Sequence, residues 1–314
     1  MKALQIREYG GREVLHLTET APKPTSAHGQ VLVEVHAASI NPIDWKLRAG
    51  YLKEHVPLTM PATLGVDCCG IVSSVGESES GLKVGDRVYG YAGVFTGGSG
   101  SFAEYATINA SEVALAPQRV SVVEAAAAPL VGISALQALE EHIKLQHGQK
   151  ILIHGGAGGI GSVAIQIAKW IGAYVATTAG GDDRRYVEEL GADEVIDYKK
   201  EAFEKRLADF DAVFDTVGGS TTEKSFKVLK KGGTLASMLG LPDAALPQQH
   251  GVTVIGQVTH VRTALLKRLA DLLDAKTIAI RIAKILPLDK AQDAFQLAEE
   301  GRPRGKVVFE IKHG

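Results

Sequence analysis

The sequence predicts an α/β fold in two parts, a small all-β unit followed by a doubly wound parallel sheet. Three observations carry that prediction. Residues 1 to about 120 break into short β-branched or alternating runs punctuated by Gly, Pro and Asp. From Lys150 onward strand-like and helix-like runs alternate, which is the mark of βαβ units. At the first strand–helix junction stands the glycine-rich stretch Gly155–Gly161. With 314 residues the chain is also too long for one typical core.

Each element follows from local pattern. Met1–Ile6, Val14–Thr18, Gln30–Ala37, Gly70–Val75, Arg87–Tyr91 and Ala103–Ile108 read as strands, with turns at Gly10-Gly11, Gly76 and Gly85-Asp86. Near residue 121 the character changes. Ser121 caps a helix over Val122–Leu130, a second covers Ser134–Leu145, and Gly148 marks the stop. Strand Ile151–His154, helix Gly161–Ile171, strand Ala173–Thr178, helix Arg184–Leu190 and strand Glu194–Ile196 come next. Helix Phe203–Ala208, strand Ala212–Asp215, helix Thr222–Leu229 and strands Thr234–Ser237 and Val252–Ile255 complete the alternation. The tail reads as helix Thr263–Leu273, strand Ile280–Ile285, helix Lys290–Glu299 and strand Lys306–Ile311.

Composition narrows the function classes. Hydrophobic residues make up 45% and charged residues 22%, an ordinary globular balance. Lys+Arg 34 against Asp+Glu 36 gives no basic surplus, so neither nucleic acid nor an anionic membrane is favoured as partner. No run stays apolar for the ~18 residues of a membrane span. The start, MKALQIREYGGREV, lacks the apolar stretch of a secretory signal. The only cysteines are the neighbours Cys68 and Cys69, which cannot staple a fold of this size; a reducing, cytoplasmic setting is expected.

The sharpest local signal is the run from Ile151 to Gly161 followed by an apolar helix. Gly156, Gly158 and Gly161 have the G-x-G-x-x-G spacing of a Rossmann dinucleotide site. The first glycine permits the tight turn, the second lets backbone approach a pyrophosphate, and the third lets helix pack on strand. The helix N-terminus then faces the phosphates. Such a loop also occurs as plain structure in α/β folds of other use. At the end of the second strand, Val175–Gly180, an NAD site would offer an acid to the ribose hydroxyls. Here stand Thr177 and Thr178, with Arg184 and Arg185 beyond. Hydroxyls plus guanidinium donors suit a 2′-phosphate, so NADPH is the expected cofactor. The competing reading places both arginines on a solvated face beside Asp182 and Asp183.

Several motifs occur in a fixed order over essentially the whole chain. They are VHAASINPIDWKLRAG (35–50), LGVDCCGIVSSVG (64–76), VGDRVYG (84–90), SFAEYA (101–106), APLVGISALQAL (128–139) and RGKVVFEI (304–311), together with the glycine loop. In these the chain resembles the zinc-free quinone oxidoreductase branch of the medium-chain dehydrogenase/reductase superfamily. The resemblance implies a GroES-like β-barrel domain over 1–122, completed by 263–314, and a Rossmann NADP-binding domain over 123–262. It also implies a homodimer. Zinc-containing relatives carry Cys where this chain has Asn41, His where it has Val66, and a four-cysteine lobe in the region of Tyr91–Ser101. Zinc needs thiolate or imidazole ligands converging tetrahedrally, and none stand at these positions.

The resemblance assigns roles residue by residue. Asn41 is expected near the nicotinamide and substrate, with Asp44 and Lys46 one helical turn onward; a turn-forming Asn41 and a merely solvated Lys46 are the plain alternatives. Many relatives have Tyr at the place of Lys46. Asp67 fills the acidic position of G-x-[DE]-x-x-G, as catalyst or as structural ion pair. Ser134 stands where relatives have a cofactor-contacting Thr, and is otherwise a hydroxyl on a buried helix start. Gly158, Gly159 and Ile160 would meet the pyrophosphate, Thr178 the adenosine ribose, and Tyr198 the adenine or 2′-phosphate. Thr216, Val217 and Gly218 follow the fourth strand, Ser237, Leu239 and Gly240 the fifth, where parallel-sheet ligands sit. Lys306 matches a basic residue near the cofactor, or is a rim charge.

The chemistry expected is hydride reduction of a quinone or α,β-unsaturated carbonyl. Without zinc or a dedicated base, an alcohol's proton has no acceptor. An activated double bond instead spreads the incoming charge onto a carbonyl oxygen, which a few hydrogen-bond donors stabilise. An alcohol dehydrogenase or enoyl-thioester reductase of the same superfamily is the alternative. A protein that binds NADPH with little turnover is another.

Overall fold

The computed structural model describes residues 1–77, 81–240, 245–300 and 303–312. The chain opens with strands β1 (Ala3–Ile6), β2 (His16–Thr18) and β3 (Gln30–Ser39), helix α1 (Pro42–Arg48) and strands β4 (Ala62–Thr63) and β5 (Asp67–Val75). Strands β6 (Arg87–Tyr91), β7 (Tyr105–Asn109) and β8 (Val113–Leu115) and helices α2 (Val122–Ala127) and α3 (Pro129–Leu136) follow. Alternation then begins: β9 (Lys150–His154), α4 (Gly159–Ile171), β10 (Tyr174–Ala179), α5 (Arg184–Glu189), β11 (Glu194–Asp197) and α6 (Phe203–Arg206). It continues through β12 (Phe210–Asp215), α7 (Ser220–Ser225), β13 (Leu229–Ser237), α8 (Ala245–His250) and β14 (Thr253–Gly256). Helix α9 (Thr263–Asp274), β15 (Ile282–Leu286), α10 (Ala291–Glu300) and β16 (Lys306–Glu310) end the series. None of the described helices is long and apolar enough to cross a membrane.

Two compact units form. The first comprises Met1–Leu130, Val261–Lys276 and the chain from Ile280 onward; the second comprises Val131–His260 and Thr277–Ala279. Helix α2 packs on β3 and β5 and so belongs with the first unit, eight residues past the boundary expected at 122. The expected helix Val122–Leu130 breaks at Ala127, because Pro129 has no N–H to give to the carbonyl four residues back. Helix α3 starts there rather than at Ser134. The helix expected to end at Leu229 stops at Ser225, since Leu229 already pairs with Phe210 in the sheet.

In the first unit, β2-β1-β4 form a small antiparallel sheet and β15-β16-β3-β5-β6-β8 a larger one, with β7 also on β3. Its core gathers Phe102, Phe295 and Phe309 from three distant segments, at ring-centroid separations of 6.0 and 5.1 Å from Phe102. Edge-on aromatic packing of this kind adds to plain burial. In the second unit six parallel strands run in the order β11-β10-β9-β12-β13-β14. The chain starts at the middle with β9, winds out to β11, then returns to build the other side from β12. That reversal leaves a crevice at the carboxyl ends of β9 and β12, where ligands bind in doubly wound sheets.

A buried ion pair ties the two ends of the first unit. Arg48 on α1 donates to both carboxylate oxygens of Glu299 on α10 at 2.7 and 3.2 Å, and its guanidinium lies 5.3 Å from the Phe295 ring centroid. Replacing Arg48 by Met leaves the Glu299 charge without its partner. Arg48→Met is expected to lower the unfolding free energy by about 3 kcal/mol, measured by denaturant titration. A change within about 0.5 kcal/mol would show that the pair contributes nothing to closure.

Candidate active site

The glycine loop has the geometry of a phosphate cradle. A Cβ on Gly156 would stand 2.1 Å from Thr177 Oγ1, and one on Gly161 would stand 2.3 Å from the Gly155 carbonyl oxygen. No side chain fits at either place, so backbone alone faces the strand ends. Helix α4 begins at Gly159, and its first-turn N–H groups (Gly159, Ile160, Gly161) have no carbonyl one turn back to accept them. Gly158 precedes them in extended conformation as the cap. Donors left over at a helix start suit an anion, so a dinucleotide pyrophosphate fits the residues present.

The neighbouring strand ends complete a platform. Thr216 donates its hydroxyl to the His154 carbonyl at 2.8 Å. Buried Asp215 accepts the N–H groups of Val217 and Gly218 at 2.8 and 3.0 Å, which fixes the loop after β12. Leu239 N donates to the buried Ser237 hydroxyl, and Leu239 covers Gly218 from the next loop, just before Gly240. Val217 is 48% and Leu239 53% exposed, so apolar side chains flank this edge. Asp215 escaped the sequence reading, although an acid closing an apolar strand before Thr-Val-Gly-Gly is a turn signal. The Ser134 hydroxyl bonds Thr259 Oγ1 at 2.7 Å, and its carbonyl accepts at 2.8 Å from Gln257, whose own N–H donates to the Ser237 carbonyl at 2.8 Å.

At the end of β10 the residues expected at the ribose and phosphate make hydrogen bonds within the protein. Thr177 donates its hydroxyl to the Ile153 carbonyl at 2.7 Å, and Thr178 is engaged with Gly155 N and His154. Both threonines are buried and face β9. Arg184 donates to the Val195 carbonyl at 2.9 Å and pairs with Glu188 at 3.4 Å, so its guanidinium is turned onto its own helix and β11. Tyr198 and Lys200, the latter paired with Asp197 at 3.6 Å, also stand at this edge. A Cβ on Gly180 would lie 4.0 Å from the Tyr198 ring, and one on Gly181 the same distance from Lys200 Nζ. Lys200 was not among the expected residues; its only sequence signal is the Tyr-Lys-Lys run.

In the first unit the strand registers gather four expected site residues. Ser39 on β3 lies opposite both Asp67 on β5 and Val308 on β16. Asn41, Asp44, Asp67 and Lys306 consequently share one buried network. The Asn41 amide donates to Asp67 Oδ2 at 2.8 Å and to the Ser39 carbonyl at 3.3 Å. Its Oδ1 accepts from Lys306 Nζ, which also donates to the Ile40 carbonyl at 2.8 Å. Asp67 accepts further from Ser39 Oγ and Leu130 N. Asp44 Oδ2 takes the Asn41 backbone N–H at 2.7 Å, while its Oδ1 is buried with no hydrogen-bond partner.

These contacts revise the roles. Both amide N–H bonds of Asn41 are committed, so it has none left for a substrate oxyanion. Lys306 is buried rather than a rim charge. Lys46 sits half-buried on α1, outside the hydrogen bonds of this network. Burial pushes Asp44 up to about 8, opposed by the Asn41 N–H and reinforced by the Asp67 charge. Burial likewise pushes Asp67 up to about 6, against the pull of Lys306 and Asn41. Lys306 is lowered by desolvation, against the attraction of both carboxylates. Burial thus favours the neutral form of both acids, most strongly at Asp44, while the Lys306 charge favours an ionised Asp67.

A pH dependence follows. Folded Asp44 keeps its proton up to about 8, whereas an unfolded Asp releases it near ~3.9. Its contribution to stability is full below that lower value and is lost as pH rises toward 8. Asp44→Asn keeps the neutral shape and cannot ionise. Thermal unfolding at pH 6 and pH 9 should show a smaller alkaline loss of stability in Asp44→Asn than in the wild type; equal losses would contradict the assignment.

Comparison with known proteins agrees with this architecture. A family model for the alcohol dehydrogenase GroES-like domain matches residues 27–118, and one named zinc-binding dehydrogenase matches residues 190–309. A 2-methylene-furan-3-one reductase of Solanum lycopersicum is 38% identical, over 98% of this chain and 79% of its own length. An NADPH-dependent alkenal/one oxidoreductase of Arabidopsis thaliana is 34% identical, with the same shares covered. The solved quinone oxidoreductase of Coxiella burnetii superposes with a TM-score of 0.91 at 34% identity, over 99% of both chains. With its motifs, its glycine cradle and relatives matched along nearly its whole length, the chain belongs to the quinone oxidoreductase branch of the medium-chain dehydrogenase/reductase superfamily.

Proposed function

We propose that this chain is an NADPH-dependent reductase of quinones or α,β-unsaturated carbonyls that works without zinc. The observation that carries the reading is the commitment of the buried polar groups in the first unit. Asn41 and Lys306 are bonded to one another, Asp67 accepts from three donors, and Val66 is buried beside it. Among the described residues no group of His, Cys, Asp or Glu is arranged to hold a metal ion. A protein so built has no evident acceptor for an alcohol's proton.

Residues of the second unit would hold the cofactor. The Gly158–Gly161 backbone takes the pyrophosphate, Tyr198 and Lys200 the adenosine end, and the loops Thr216–Gly218 and Ser237–Gly240 the strand-end edge. NADPH, when bound, supplies the hydride that an electrophilic carbon accepts. A quinone or enone delocalises the resulting charge onto its own carbonyl oxygen, so solvent can deliver the final proton without a side-chain acid. The family resemblance adds a homodimer to the proposal. The two cysteines favour a reducing, cytoplasmic setting: both are buried, and burial pushes the Cys69 thiol up to about 12, which makes it inert.

Two measurements test this. With NADPH, a panel of quinones and alkenals should be reduced, undiminished by chelator, while secondary alcohols with NADP⁺ turn over negligibly. Alcohols outperforming every quinone and enone, or activity that collapses with chelator, would overturn the reading. NADPH should also bind at least tenfold tighter than NADH, ~1.4 kcal/mol. Lys200→Ala should weaken NADPH about three- to fivefold, as for an exposed ion pair of up to ~1 kcal/mol, and leave NADH unchanged. Arg184→Ala should alter neither; the opposite pattern would return the phosphate contact to Arg184.

A further inference from the structure

The last residue of β9, His154, is fully buried directly before the glycine loop, and the proposed chemistry does not use it. Its ring faces β10, α6 and α7. Nδ1 lies 3.1 Å from Thr178 Oγ1, Nε2 lies 2.9 Å from Ser225 Oγ, and the Phe203 ring packs edge-on at 4.6 Å. Asp215 on β12 is the ionisable group whose charge bears on it, and that carboxylate already accepts from Val217 N, Gly218 N and Thr222 Oγ1.

The direction of every hydrogen bond here can be deduced. Ser225 has one hydroxyl proton and donates it to the Thr221 carbonyl at 2.7 Å, so toward His154 it can only accept. His154 therefore carries its proton on Nε2. Burial holds the imidazole neutral, lowered to about 4, and Nδ1 is left as an acceptor. Thr178 must donate its hydroxyl proton to Nδ1, which leaves Thr178 Oγ1 to accept from Gly155 N at 3.2 Å. The Thr178 carbonyl accepts from Gly156 N at 3.0 Å. Thr178 thus anchors the first two amides of the loop, and His154 dictates which way its hydroxyl points.

We propose that His154 is a positioning residue for the dinucleotide: through Thr178 it sets the backbone of Gly155 and Gly156, and thereby the donors of the turn that follows. This rests on the reading of the loop as a dinucleotide site. Side-chain amides separate the two arms of the imidazole. Asn in place of His154 puts an acceptor near the Nδ1 position and preserves the Thr178 arm. Gln reaches the Nε2 position, preserves the Ser225 arm and strands the Thr178 hydroxyl.

The test is NADPH affinity by fluorescence titration alongside the melting temperature, in the full chain. His154→Asn should bind NADPH within about twofold of wild type, and His154→Gln at least tenfold more weakly, at comparable melting temperatures. Thr178→Val, which removes the hydroxyl at nearly constant volume, should weaken binding by itself, and adding His154→Gln to it should cause no further loss. Equal losses in both His154 variants, no loss in either, or a further tenfold loss in the Thr178→Val background would each overturn the proposal. If His154→Gln does not fold, His154→Asn in the wild-type and Thr178→Val backgrounds decides, since a loss in both refutes the Thr178 arm. A wild-type chain that fails to bind NADPH would instead overturn the reading of the loop, and this inference with it.

Discussion

Lys306 carries its ammonium into the interior of the first unit, where its hydrogen-bond acceptors are the Ile40 carbonyl and Asn41 Oδ1. An unpaired charge in such a place would cost several kcal/mol, so the surrounding strands are constrained to keep the Asp67 carboxyl nearby. That requirement links β16, β3 and β5: moving any one of them by a residue would separate Lys306, Asn41 and Asp67, because a one-residue slip turns side chains to the opposite face. Asp44 enters the same space, where burial favours its neutral form. Removing the Lys306 ammonium would unbalance both acids together.

The second unit rests on a different economy. Its parallel strands end in residues that point back into the sheet: Thr177 toward Ile153, Thr178 toward His154, Asp215 toward its own loop. What they leave exposed is backbone and a few apolar side chains, Val217 and Leu239 among them. A surface of amide donors and apolar edges suits a ligand with phosphates at one end and a flat ring at the other. Side-chain polarity at the strand ends serves mainly to hold loops in shape.

These two arrangements bear on chemistry in complementary ways. The buried polar groups around Asn41 are bonded to one another. A reaction that needs little proton transfer from protein suits such a chain, and hydride addition to an electrophilic, conjugated acceptor is one. Stabilising the charge then falls to the substrate's own conjugation.

Sequence pattern alone determined the two-part organisation, the parallel sheet and the place of the glycine loop. Strand–helix alternation and G-x-G-x-x-G are local signals read within a few residues of each other. It could not assign hydrogen-bond partners that lie across a strand. Asn41, Lys306, Thr178 and Arg184 each have the right chemistry for a ligand, and a linear reading cannot tell that Asn41 and Lys306 are bonded to one another, Thr178 to His154 and Gly155, and Arg184 to the Val195 carbonyl. Pro129 splits a helix and Asp215 fixes a loop, both for local reasons that were open to reading. His154 is another matter: its role arises from Thr178 and Ser225, 24 and 71 residues away. Hydrogen-bond capacity is finite, and only the tertiary structure decides which partner each donor and acceptor has taken.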